Sequence, residues 1–126
     1  MNARSITDLH EEIAKVLVNR LKRNPQSAIM TYKELCELVE NKIDPRNVAT
    51  YIGDLSIWCS DIDAPMISAL IYNQRRNIPG KGFFRLFSDL YGGNVKKEEE
   101  ELVFINELNK VLQYQTWEKL EEYLGL

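Results

Sequence analysis

The sequence predicts a mostly helical α+β fold in a single domain spanning residues 1–126. Three observations carry that reading. Apolar residues recur at helical spacing along most of the chain, helix-start signals precede several of those stretches, and one continuous apolar run, Met66–Tyr72, lies between a proline turn and a glycine-punctuated basic loop. A chain of 126 residues buries about two-thirds of its unfolded surface around one core, too little for two. Residues 94–126 are expected to form a helical extension packed on that core. Hydrophobic residues at 44% and charged residues at 28% match ordinary globular proteins and exclude a disordered chain. No apolar run approaches the roughly 20 residues that a membrane span needs. The opening MNARSITDLHEE has no apolar leader segment, so a cytoplasmic location is expected.

Leu9, Ile13, Val16, Leu17 and Leu21 predict an amphipathic helix over 8–23, with Thr7 as its N-cap and Asn24-Pro25 as its stop. Thr31-Tyr32-Lys33-Glu34 is a capping-box pattern, and Leu35, Leu38 and Val39 follow on one face of a short helix over 32–40. Asp44 and Pro45 start a third helix over 45–59, carried by Val48, Ile52 and Leu55. The turn-formers of Asp61–Pro65 then deliver Met66–Tyr72 as a strand. Its candidate partners are Ala28-Ile29-Met30 and, as the return arm of a short hairpin, Gly82-Phe83-Phe84. Phe83, Leu86, Phe87 and Leu90 argue instead for a helix there, closed by Gly92-Gly93, and a helix from about Phe84 is preferred. Leu102, Ile105, Leu108, Val111 and Leu112 predict a helix over 98–113 behind a first turn of glutamates. Thr116 caps a last helix. Its Trp117, Leu120 and Tyr123, with Tyr114 just before, are expected either to close the core or to form a partner surface, core closure being preferred.

Charge is unevenly placed. Asn73 to Arg85 carries Arg75, Arg76, Lys81 and Arg85 with no acid among them, in a chain of net charge -3. Cations gathered on a loop suit phosphate or an acidic partner surface, although a solvated turn would read the same way. The acids concentrate in Glu98–Glu101 and in Glu118, Glu121 and Glu122.

Helix, capped short helix, proline-started helix, strand and basic loop is the order of a winged helix-turn-helix. Thr31-Tyr32-Lys33-Glu34-Leu35, then Pro45-Arg46-Asn47-Val48, Ile52-Gly53 and Leu55, then Pro65 before an apolar run, resemble the DNA-binding domain of alkylguanine DNA alkyltransferases and alkyltransferase-like proteins. That family has a TYGELA-like start, a PRAVG-like recognition helix and a PCHRV segment leading into the wing. The resemblance covers about residues 28–82 and implies a winged helix-turn-helix-like core there with a short β-hairpin or wing, flanked by extra N- and C-terminal helices. The same segments, with an LVxNxxxxxPGxGF-like loop and the stretch Val111–Trp117, are also similar to small bacterial and phage proteins of no settled function.

The departures bear on chemistry. Where the alkyltransferase motif has Pro-Cys-His-Arg, this chain has Pro65-Met66-Ile67-Ser68, so the acceptor thiol and its activating histidine are missing. Cys59 stands six residues before Pro65, and it and Cys36 sit among apolar neighbours as expected buried thiols. His10, the single histidine, lies beside Glu11 and Glu12 and reads as a surface residue. Glu34, Glu37 and Glu40 read as a solvated helix face, and Gly80-Lys81-Gly82 lacks the spacing and hydroxyl of a P-loop. No catalytic set, cofactor or metal site is expected.

The function read from the sequence is therefore non-catalytic nucleic-acid binding, with DNA preferred to RNA. Arg46, Asn47 and Thr50 would enter a groove, and Arg75, Arg76, Lys81 and Arg85 would meet phosphates. Arg46 reads equally well as a surface cation paired with Asp44 or Glu40. The alternative is a protein-interaction module, such as a phage-encoded inhibitor of a bacterial nuclease-based defence system. Self-association into a homo-oligomer is left open, and no membrane partner is expected.

Overall fold

The computed structural model describes residues 5–126, so the reading of Met1–Arg4 as free of a leader segment lies outside it. Helix α1, Asp8–Arg23, forms the first wall of the core, burying Ile13, Ala14, Leu17, Val18 and Leu21. Thr7 caps it as expected, but through a capping box whose third residue is His10 rather than an acid. A 3-10 turn at Pro25–Ala28 leads to strand β1, Met30–Thr31, and to α2, Tyr32–Leu38. The Thr31–Glu34 capping box forms, with the Glu34 backbone N–H donating to Thr31 Oγ1 at 3.1 Å. Such a cap contributes about 1 kcal/mol. Helix α2 stops two residues early because Glu40 and Asn41 both adopt left-handed backbone, with φ of 57° and 56°.

Pro45–Asn47 forms a 3-10 turn, not α-helix, and runs into α3, Val48–Asp61. Helix α4 is Lys81–Tyr91, α5 is Glu100–Gln113 and α6 is Glu118–Leu124. Among the described residues the fold is thus mostly helical, with one small sheet. Buried residues from Ile13 to Leu124 form one contiguous core, into which α6 contributes Leu120 and Leu124 and the residue before it contributes Trp117. Helix α6 is tied to α1 by the Lys22–Glu121 ion pair and to α3 by Tyr123, whose hydroxyl donates to Asp61 Oδ2 at 2.6 Å.

Four expectations need correction. Met66–Tyr72 is not a strand over its length: Ile67–Leu70 is a 3-10 turn, and only Ile71–Tyr72 forms strand β2, parallel to β1 with Met30 opposite Ile71 and Thr31 opposite Tyr72. A continuous apolar run does not distinguish a strand from a buried turn. Here the turn packs between α3 and α5, and the Ser68 backbone N–H is satisfied by Ser56 Oγ at 3.0 Å instead of by a neighbouring strand. Second, the hairpin shrinks to a single antiparallel bridge, Asn73 with Ile78, while Gly82-Phe83-Phe84 is helical within α4.

Third, the buried face of α5 is Phe104, Glu107 and Val111, leaving Leu102 65% and Ile105 42% exposed. The stripe read from leucine and isoleucine was rotated because Val103 and Phe104 turn inward in their place. Fourth, Thr116 makes no side-chain cap; its carbonyl accepts from the Lys119 N–H at 3.0 Å, and Trp117 occupies the cap position.

Candidate nucleic-acid interface

Helix α4 organises the basic region. Its start is pinned to α2 by the Gly80 backbone N–H, which donates to the Tyr32 hydroxyl at 3.0 Å. Phe83 and Leu86 face α3, packing beside Ala49, Ile52 and Gly53. Lys81, Phe84, Arg85 and Ser88, at spacings of three and four, face the other way into a cleft of about 740 Å³. Gly92 and Gly93, at φ of 85° and 84°, turn the chain after α4 in a conformation that only glycine adopts readily. The Val95 N–H then donates to Ser88 Oγ at 3.3 Å, which folds the following segment back and sets Lys97 and Glu100 on the opposite lip.

The loop before α4 is an ordered turn. Asn73 accepts from the Arg75 N–H through Oδ1 at 2.9 Å and from the Asn77 N–H through its carbonyl at 2.8 Å. Arg76 reaches into the cleft, where its Nη2 lies 3.0 Å from Glu100 Oε1, while Arg75 is exposed at the tip. Among the described residues, Arg76, Lys81, Arg85 and Lys97 therefore share one cleft with only Asp89 and Glu100 as acids. Three of these cations were legible in the sequence. Lys97 was not, because it is sequence-adjacent to the glutamate run and reaches the cleft only through the Gly92-Gly93 turn.

Arg46, Asn47 and Thr50 are exposed at the start of α3, whose next turn is covered by α4. Among the described residues no hydrogen bond or ion pair joins them to the cations of the cleft. Arg46 grips Asp44 with both Nε, at 3.1 Å, and Nη2, at 2.8 Å. The guanidinium hydrogen bonds, with the Arg46 backbone N–H, hold the Asp44 carboxyl down at about 2. A depressed carboxyl contributes stability above its unfolded range and loses it as pH falls through the folded value. An NMR titration should therefore place Asp44 near 2, and Arg46→Ala should return it toward the ordinary carboxylate value of about 4. An ordinary value in the unmutated chain would show that the pair does not persist in solution.

The surface reading of His10 is overturned. Its ring is fully buried, with Nε2 2.9 Å from Asp54 Oδ2 and with Tyr51 and Trp58 against its faces. Nδ1 accepts from the Thr7 backbone N–H at 3.1 Å, so it is Nε2 that carries the ring N–H and donates to Asp54 Oδ2. Hydroxyl, imidazole and carboxylate stand in line, since Thr7 Oγ1 is 2.8 Å from Nδ1. Their arrangement is that of a capped helix start: the Thr7 oxygen accepts from the His10 N–H, and the imidazole is sealed from solvent. The helical wheel of α1 put His10 beside glutamates, whereas the cross-chain partner that pulls it inward lies 44 residues away.

Both thiols are buried, and burial lifts Cys59 to about 12, leaving it a poor nucleophile. Glu107 is a residue that periodicity reasoning missed: an acid on the inner face of α5, exposed by only 1%. Its Oε2 accepts from the Met66 N–H at 2.8 Å and from the Tyr91 hydroxyl at 2.6 Å, while Oε1 has no hydrogen-bond partner among the described residues. Burial and the adjacent carboxylate raise the Tyr91 hydroxyl well above its usual range, so it stays protonated and donates.

Comparison with protein-family models, curated proteins and solved structures finds no match to this chain. Among the described residues no helix is long and apolar enough to cross a membrane.

Proposed function

We propose that this protein is a non-catalytic nucleic-acid-binding protein with a winged-helix-like centre, DNA being the preferred ligand. The observation that carries the reading is the convergence of Arg76, Lys81, Arg85 and Lys97 on one cleft in an otherwise acidic chain. The Lys81–Arg85 face of α4 takes the place of a hairpin wing and meets phosphates, with Arg75 beside it. Arg46, Asn47 and Thr50, at the uncovered end of α3, reach the groove. The non-catalytic part of the reading rests on Met66 at the acceptor position, the sealed Cys59 thiol and the sealed His10 ring.

A titration with duplex and single-stranded oligonucleotides at two salt concentrations tests this. About four phosphate contacts give a slope of roughly −3 to −4 in log affinity against log salt for duplex DNA. Lys81→Glu with Arg85→Glu should abolish binding while leaving the melting temperature unchanged, because both side chains are exposed. Glu100→Gln, which frees Arg76 from its acid, should strengthen binding. Unchanged affinity in the charge-reversed double variant would remove the cleft from the interface.

A second reading, a protein-interaction module that engages a basic partner surface, is favoured by one observation. Leu102 and Ile105 stand exposed on α5 next to Glu98, Glu99 and Glu101. No oligonucleotide binding at low salt would move the conclusion to this reading.

A further inference from the structure

We propose that the cavity where the C-terminal ends of α3, α4 and α5 meet is a binding site for a small organic cation bearing N–H donors, a guanidinium or a primary ammonium. The cavity measures about 480 Å³ and is lined by Ser60, Asp63, Pro65, Tyr91, Lys110 and Tyr114, among others. That volume lies within the range of small-molecule sites, about 300–1,000 Å³. It is separate from the basic cleft, with which it shares no lining residue.

Three features select a cation. The last turns of three helices border the cavity, at Ser60, Tyr91 and Lys110, and helix C-termini carry partial negative charge. Two carboxylates, Asp63 on the wall and Glu107 behind Tyr91 and Lys110, stand against one ammonium. Tyr91 and Tyr114 supply aromatic surface on which a planar cation stacks.

The decisive feature is Glu107 Oε1, a buried carboxylate oxygen with no hydrogen-bond partner among the described residues. Buried polar atoms are ordinarily paired, and an exception calls for a reason. The chain's own Lys110 already places its ammonium in this field, 5.8 Å from the Tyr91 ring centroid and 3.8 Å from Oε1. That distance is too long for a hydrogen bond. Lys110 is thus a tethered, imperfect occupant with a largely exposed side chain that can leave. A free guanidinium can displace it, donate to Oε1 and lie against the tyrosines.

The test is an NMR titration of backbone amides with agmatine, which carries both cationic groups, against neutral N-butylurea. Saturable shifts are expected at Ser60, Ala64, Tyr91, Lys110 and Gln113 with agmatine alone. Lys110→Met should tighten agmatine several-fold by removing the competitor, and Glu107→Gln should weaken it at least tenfold. Should Glu107→Gln fail to fold, Tyr114→Leu, at the half-exposed rim, decides in its place by weakening agmatine. Equal binding of butylurea, shifts confined to Glu98–Glu101, or agmatine affinity unchanged in the Tyr114 variant would each overturn the site.

Discussion

Trp117→Ala is expected to cost about 3–5 kcal/mol of folding stability, the usual penalty for emptying a large buried aromatic site. The indole is 2% exposed, stacks edge-on against Tyr114 at 4.8 Å, and donates its N–H to the Val111 carbonyl at 3.3 Å. It stands at the joint between α5 and α6, so truncation both opens a cavity and loosens the packing of Leu120 and Leu124. Chemical denaturation of the variant measures the loss. Trp117→Phe should fall between the two, since it restores most of the apolar volume without the N–H donor. A variant that keeps the stability of the parent but loses self-association or a protein partner would show that α6 serves an interface instead.

Asp54→Ala should destabilise the chain by about 2–3 kcal/mol, the range for losing a hydrogen bond to a charged group and leaving its donor unmet. The His10 Nε2–H has no access to water and donates its hydrogen bond to Asp54, so removal of the acceptor strands it between Tyr51 and Trp58. Asp54→Asn keeps an acceptor oxygen and should cost less. Combining Asp54→Ala with His10→Ala should lose less than the sum of the single changes, because the two side chains share one bond. Additive losses would deny the coupling between α1 and α3 that this pair provides.

What the sequence determined by itself was local. The Thr7 and Thr31 caps and the cores of α1 and α3 depend on residues three or four apart, and they form where the pattern places them. The clustering of Arg76, Lys81 and Arg85 was legible for the same reason, since a turn and one helix face bring them together. Tertiary structure alone decided the rest. Whether Met66–Tyr72 became a strand depended on the strand edge offered to it, and β1 offers two residues. His10 and Glu107 are polar and so read as surface, yet each is drawn inside by a partner far along the chain, Asp54 and the Met66 N–H. The basic cleft needed Lys97 and Glu100 from across the Gly92-Gly93 turn. Periodicity reports which face of a helix is apolar. It does not report what another element, 40 or more residues away, sets against a polar group on that face, and here that contact decides burial.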